Sequence, residues 1–188
     1  MSPKLSRSTV PSVTVFSINV LDLLAAAEGD SDPNLVTRQT GRAVRALIEA
    51  ELARRPPGSV CMIDFRGVGV LDYSCADEVA ARVRATASSV VVFRCTQDRH
   101  ADQLGTVLEH HSLAAVAETG PGRFQLLGRV EAHTRSAWQA LEEAGIGSNS
   151  DGLPTEPPAG YGALAAGGLA FRCERSGAYH AFSSILSK

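Results

Sequence analysis

Short runs of β-branched residues alternate along this chain with amphipathic helical patterns. Three of these runs, at residues 13–21, 60–65 and 90–94, predict strands, and the second, "VCMIDF", is apolar enough to be buried. A further strand is expected at 113–118 or 123–128. Strands that alternate with helices of this length require crossover connections. The sequence therefore predicts an α/β fold, with a small mixed sheet of four to five strands and helices packed against it.

Three helices can be placed between these strands. The first begins at Thr40, and its apolar face consists of Val44, Leu47, Ile48 and Leu52. The second begins at Ser74 and continues to residue 87, and the third covers 100–111. Residues 25–38 are predicted to form a loop before the first helix.

After residue 128 the pattern changes. Residues 129–145 predict a helix around Trp138, and 146–160 are too rich in Gly, Ser and Pro for a regular element. A short helix near 163–166 and a hairpin turning at 175–177 follow. This order resembles a reduced winged helix in which the loop at 146–160 replaces the usual middle helix, and the short helix near 163–166 carries no basic residues that could read DNA.

The chain therefore divides into three predicted parts: a flexible N-terminus at 1–12, a main domain at 13–128 and a small C-terminal domain at 129–188. DNA contact requires Lys or Arg facing phosphates. We expect the C-terminal domain to mediate protein contacts or form a homodimer, and DNA binding by a transcriptional regulator is the alternative.

Composition excludes several classes of protein. The chain has 188 residues, of which 44% are hydrophobic and 20% charged, with a formal net charge of -2. These values are typical of a globular protein and not of a disordered tail or a basic nucleic-acid binder. The four cysteines are widely spaced, and no secretory signal or run long enough to span a membrane is apparent. We expect a cytoplasmic protein without membrane contact.

The stretch from residue 60 to residue 83 carries the most specific pattern. It runs from a strand through a turn and a serine into a helix, with the residues Asp64, Phe65, Gly67, Val68, Ser74, Ala76, Asp77 and Glu78. A second motif opens the first long helix, with Thr37, Arg38, Gly41 and Arg42. Over roughly residues 13–120 the chain resembles the STAS-like proteins of the sulfate transporter and anti-sigma factor antagonist (STAS) superfamily.

This resemblance implies a STAS-like fold and a role in signal transduction. In anti-sigma factor antagonists a partner kinase, which is also the anti-sigma factor, phosphorylates a serine that matches Ser74. Tyr73 and Cys75 stand where that group has serine and glycine. We expect a bacterial regulatory protein, not an enzyme, that docks a kinase or anti-sigma-like ATPase. The residues expected to contact this partner are Asp72, Tyr73, Ser74, Cys75, Asp77 and Glu78.

Ser74 also has a structural interpretation. A serine at the start of a helix accepts a backbone N–H, and an acid three residues later, here Asp77, can reciprocate. The same position favours a phosphate, because free N–H groups and the positive end of the helix dipole converge there. Structural roles in turns and helix starts are expected for Asp64, Gly67, Arg38 and Gly41.

Other candidate sites have weaker support. A metal site formed by Cys95 with His100, His110 or His111 lacks a second ligand pair at a recognised zinc spacing. No nucleotide-binding glycine loop or hydrolase serine motif occurs, so no cofactor is expected. A helix start can activate a thiol, but neighbouring acids and burial oppose this at Cys75.

Overall fold

The computed structural model describes residues 13–29, 32–147 and 159–186. Its main sheet has five strands, and their order in the sheet follows their order in the chain. The first four strands are parallel, and the fifth pairs antiparallel with the fourth. They are β1 Val15–Asn19, β2 Val60–Asp64, β3 Val90–Arg94, β4 Ala114–Gly120 and β5 Arg123–Gly128. The predicted α/β fold with a small mixed sheet is confirmed.

The helices between these strands share one face of the sheet, because right-handed crossovers in a constant strand order all fall on the same side. They are α1 Val20–Glu28, α2 Arg38–Ala53, α3 Tyr73–Ala76, a π-helical segment Asp77–Arg82, α4 Val83–Thr86 and α5 Asp98–His110. The three consecutive pieces from residue 73 to residue 86 form one continuous helix, here called the central helix. It lies between α2 and α5 and is therefore buried on both flanks.

The strands β2 and β3 lie in the middle of the sheet, and burial on both faces explains why their sequences are almost entirely apolar. All five residues of β2 are buried. Cys61 and Ile63 face the core beneath the helices, whereas Val60 and Met62 belong to a second core on the other face. A parallel strand covered on both faces needs apolar residues at every position.

The C-terminal segment supplies that second cover. Its elements are α6 Ala132–Ala144, β6 Ile146–Gly147, α7 Tyr161–Ala166, β7 Phe171–Arg172, β8 Tyr179–His180 and α8 Phe182–Leu186. The three short strands form an antiparallel sheet. Trp138, Leu141 and Phe182 pack with sheet residues in a shared core. The domain boundary at residue 128 and the winged-helix resemblance stay predictions. Residues 1–12 and most of the predicted loop at 146–160 lie outside the described residues.

Two helices differ from the predictions. The first strand ends at Asn19, and α1 occupies residues predicted partly as strand and partly as loop. Asn19 starts α1 because its Oδ1 accepts hydrogen bonds from the backbone N–H of Leu21 at 2.8 Å and of Asp22 at 3.3 Å. The short helix α8 follows the hairpin, where only a strand was expected. Among the described residues, no helix combines the length and apolar character that a membrane span requires.

Candidate functional site

The turn before the central helix is fixed by backbone pairing with the segment before α2. Leu35 and Leu71 form a parallel bridge. The backbone N–H of Leu35 donates to the carbonyl of Val70 at 2.7 Å, and that of Asp72 donates to the carbonyl of Leu35 at 2.9 Å. Asn34 adds a side-chain bond, accepting from the N–H of Val70 at 2.7 Å. The start of the central helix is therefore preorganised.

The same turn is also fixed by Gln97, the residue before α5, and by His100 in its first turn. Gln97 donates through Nε2 to the carbonyl of Val68 at 3.1 Å, and His100 Nε2 lies 3.0 Å from the carbonyl oxygen of Gly69. Gly67 has a φ of 85°, and a Cβ there would lie 2.7 Å from Cδ2 of Leu21. A side chain at position 67 would thus be strained by its backbone conformation, and the end of the Leu21 side chain would have to move.

Asp64 stabilises the turn that follows β2. Its buried carboxylate accepts from the backbone N–H of Arg66 at 2.9 Å and from the guanidinium of the same residue at 2.8 Å. Arg94 lies 3.5 Å from the same carboxylate and also pairs with Glu118 at 2.5 Å. This satisfied network is what a structural role requires.

The helix cap differs from the predicted pairing of Ser74 with Asp77. Asp72 is the N-cap residue, and its Oδ1 accepts from the backbone N–H of Cys75 at 2.8 Å. The Ser74 hydroxyl donates to that same Oδ1 at 2.9 Å. Asp77 is bound elsewhere, by Arg38 and His111. The prediction was wrong because long-range ion pairs withdraw Asp77 from its own helix start.

Three residues expected to contact a partner are buried. Cys75, Asp77 and Glu78 are at most 5% exposed, since this side of the central helix packs against α2. Gly41 allows that approach: a Cβ there would lie 3.0 Å from Cα of Cys75. The prediction that these three side chains contact a partner directly was therefore wrong. Of the predicted contact residues, Asp72, Tyr73 and Ser74 reach the surface.

Four arginines cover the two buried acids. Arg38 Nη1 lies 2.8 Å from Asp77 Oδ2 and 3.0 Å from Glu78 Oε1. Arg45 Nη1 lies 2.8 Å from Glu78 Oε2. More distant contacts to Glu78 come from the Nε atoms of Arg42, at 3.4 Å, and Arg82, at 3.6 Å. We call Arg38, Arg42, Arg45 and Arg82 the arginine layer.

Burial and neighbouring charges shift the pKa values of Asp77 and Cys75. Burial raises the pKa of Asp77, but hydrogen bonds from Arg38 and His111 outweigh it, so the pKa lies below the ordinary value of 3.8. Burial, reinforced by repulsion from Asp72, raises the pKa of the Cys75 thiol to about 12. The acid is thus held ionised, and the thiol is kept protonated.

Apolar side chains are exposed on the turn before the central helix and on the segment bridged to it. Val36 and Val70 flank the bridge between two buried leucines, and alternation along paired strands turns both valines outward. Tyr73 is also exposed, with its ring edge-on to His110 at a centroid distance of 6.4 Å. We call Val36, Val70, Asp72, Tyr73 and Ser74 the turn surface.

The residues considered for a metal site serve other purposes. Cys95 is buried, His100 contacts a backbone carbonyl, and His111 pairs with Asp77 at 2.5 Å. In the part of the chain that the structure describes, no three His, Cys, Asp or Glu side chains are grouped as metal ligands.

Sequence reasoning missed two parts of this site. Arg38, Arg42 and Arg45 follow one another at helical spacing, which is a visible signal for a stripe along α2. Arg82 joins them only through tertiary packing. The exposure of Val36 and Val70 depends on a bridge between segments 36 residues apart, for which no local pattern exists.

Comparison with protein-family models, with curated proteins and with solved structures finds no match for this chain.

Proposed function

We propose that this chain is a cytoplasmic regulatory protein of STAS-like type that docks a partner kinase or anti-sigma-like ATPase through the turn surface. One observation carries the proposal. Of the four large hydrophobic residues exposed in the described part of the chain, Val70 and Tyr73 lie on the turn that leads to the motif serine, and Val36 lies on the segment bridged to that turn. The order of strand, aspartate, turn and serine, which resembles anti-sigma factor antagonists, supports the same function.

Exposed apolar side chains grouped on a rigid support are suited to protein binding. An exposed patch loses water contact when a partner covers it, and tyrosine is among the residues that contribute most to interface energy. The bonds from Asn34, Leu35 and His100 order the turn before any partner arrives. Less conformational entropy is then lost on binding.

Ser74 is the proposed point of regulation. Its hydroxyl is partly exposed and lies 2.9 Å from Oδ1 of Asp72, the carboxylate that caps the central helix. A phosphate carries about -1.5 to -2 charges at neutral pH, so it would repel this carboxylate and add charge beside Tyr73. Phosphorylation would thus weaken both the cap and the apolar contact.

Affinity capture from cells that produce the protein tests the docking. Val70→Asp places a charge in the turn surface, whereas Val15→Asp is a matched control, because Val15 is 42% and Val70 44% exposed. We expect Val70→Asp to lose the captured protein and Val15→Asp to retain it. Equal capture by both variants would refute the turn surface as the binding site.

The regulatory step needs a separate comparison. Wild type, Ser74→Ala and protein phosphorylated in vitro are tested for capture of the same partner. We expect Ser74→Ala to bind as wild type does and the phosphorylated protein to bind at least tenfold more weakly. Equal binding by all three would remove the switch and leave the docking proposal intact.

A further inference from the structure

The arginine layer presents positive charge on a molecule whose net charge is negative. Asp77 and Glu78 have side chains that are 6% and 1% exposed, whereas Arg42 and Arg82 are 63% and 49% exposed. The acids therefore lie beneath the guanidinium groups. With the exposed Glu49, three carboxylates meet four arginines, which leaves an excess positive charge facing solvent.

Many donors of the layer remain available. A guanidinium has five N–H donors. Arg42 and Arg82 come closest to the buried acids through Nε, and within the described residues their terminal Nη atoms donate no hydrogen bond. The buried carboxylates position these side chains side by side, as a site for bidentate recognition of further carboxylates requires.

The layer borders the turn surface. Arg38 follows Val36 by two residues and contacts Asp77, which lies one helical turn after Ser74. A partner that covers Tyr73 would therefore also reach the arginines. Because the arginines are positive, a complementary partner surface would be negative.

We propose that the arginine layer binds an acidic segment of a protein partner, through carboxylates that pair with Arg42, Arg82 and Arg38. This inference rests on the proposed function and adds the chemistry of the partner. A protein segment fits better than nucleic acid, because the layer is a small patch beside apolar residues on a chain with a net charge of -2.

Fluorescence polarisation with a short labelled peptide of alternating glutamate and alanine tests this inference, against the same peptide with glutamine. The test variant is Arg42→Gln/Arg82→Gln, whose native contacts to the acids are the longest, at 3.4 and 3.6 Å. The control is Arg54→Gln/Arg129→Gln, which removes the same charge elsewhere. Unfolding midpoints of both variants are measured first.

We expect the glutamate peptide to bind wild type. Its affinity should be about tenfold lower for the test variant and less than about twofold lower for the control variant. Equal binding of the glutamine peptide, or equal loss in both variants, would overturn the inference. So would tighter, equally arginine-dependent binding of a short DNA duplex. If peptide binding fails these criteria while capture still depends on Val70, only this inference fails. If the peptide behaves as expected while capture ignores Val70, only the proposed function fails.

Discussion

Replacing Glu78 by glutamine should destabilise the fold substantially, although it changes only one atom. The side chain is 1% exposed and lies within 3.0 Å of guanidinium nitrogens of both Arg38 and Arg45. Each close contact involves a partly exposed arginine, so we assign about 1–1.5 kcal/mol to each, below the value for fully buried pairs. The two contacts beyond 3.3 Å are screened and contribute little. The expected loss is about 2–3 kcal/mol.

Urea and thermal unfolding followed by circular dichroism measure this loss. For a chain of this length, about 2–3 kcal/mol corresponds to a decrease in Tm of about 5–10 °C. Glu51→Gln is the matched control, because Glu51 also pairs with an arginine, at 2.6 Å, but on the surface of α2. Its cost should stay below about 0.5 kcal/mol. Equal destabilisation by the two variants would refute the view that Glu78 anchors the arginine layer.

Three further predictions concern the scaffold of the site. Gly41→Ala should lower the free energy of unfolding by about 1 kcal/mol, because the new Cβ would lie 3.0 Å from the backbone of the central helix. Gly105→Ala is the control: its Cβ would lie 4.0 Å from the nearest atom, so the free energy of unfolding should rise by about 0.5–1 kcal/mol. A stability gain at both positions would contradict the close packing of α2 against the central helix. In urea unfolding, Asp72→Ala should lower the free energy of unfolding by about 1 kcal/mol and Ser74→Ala by less than half of that. The reverse order would indicate that Ser74, and not Asp72, caps the central helix. Burial lowers the pKa of His100 below its ordinary value of 6.5. The free energy of unfolding should therefore be greatest above pH 6.5 and should fall as the pH drops below it, because the unfolded state then binds the proton more readily. His100→Asn should flatten this decline, and an unchanged pH profile would contradict a contribution from His100.

The parts of the fold that could be predicted are those whose patterns are local. The strands β2 and β3 are apolar at nearly every position because both faces are buried, and α2 shows one clear apolar stripe. The helix α1 was missed because Val20 and Leu21 continue the apolar run of β1. Only the Asn19 side chain, which caps α1, marks the change, and asparagine is equally common in turns.

The site was less predictable because its contacts are long-range. Ser74 and Asp77 have the spacing of a capping pair, and nothing nearby in the sequence shows that Arg38, 39 residues away, pairs with that aspartate. Glu78 looks like an exposed helix acid until α2 is packed against it. Asp77 and Glu78, which the sequence predicts as partner contacts, are instead buried beneath arginines.

Photo-crosslinking from position 73 is the most direct test of docking through the turn surface. A benzophenone amino acid replaces Tyr73 in one protein and Val15 in another, since these residues are 40% and 42% exposed but Val15 lies on the edge strand β1. We predict that position 73 crosslinks the captured partner and that position 15 does not. Crosslinking from position 15 alone, or with equal yield from both positions, would contradict a regulatory module that binds its partner through this turn.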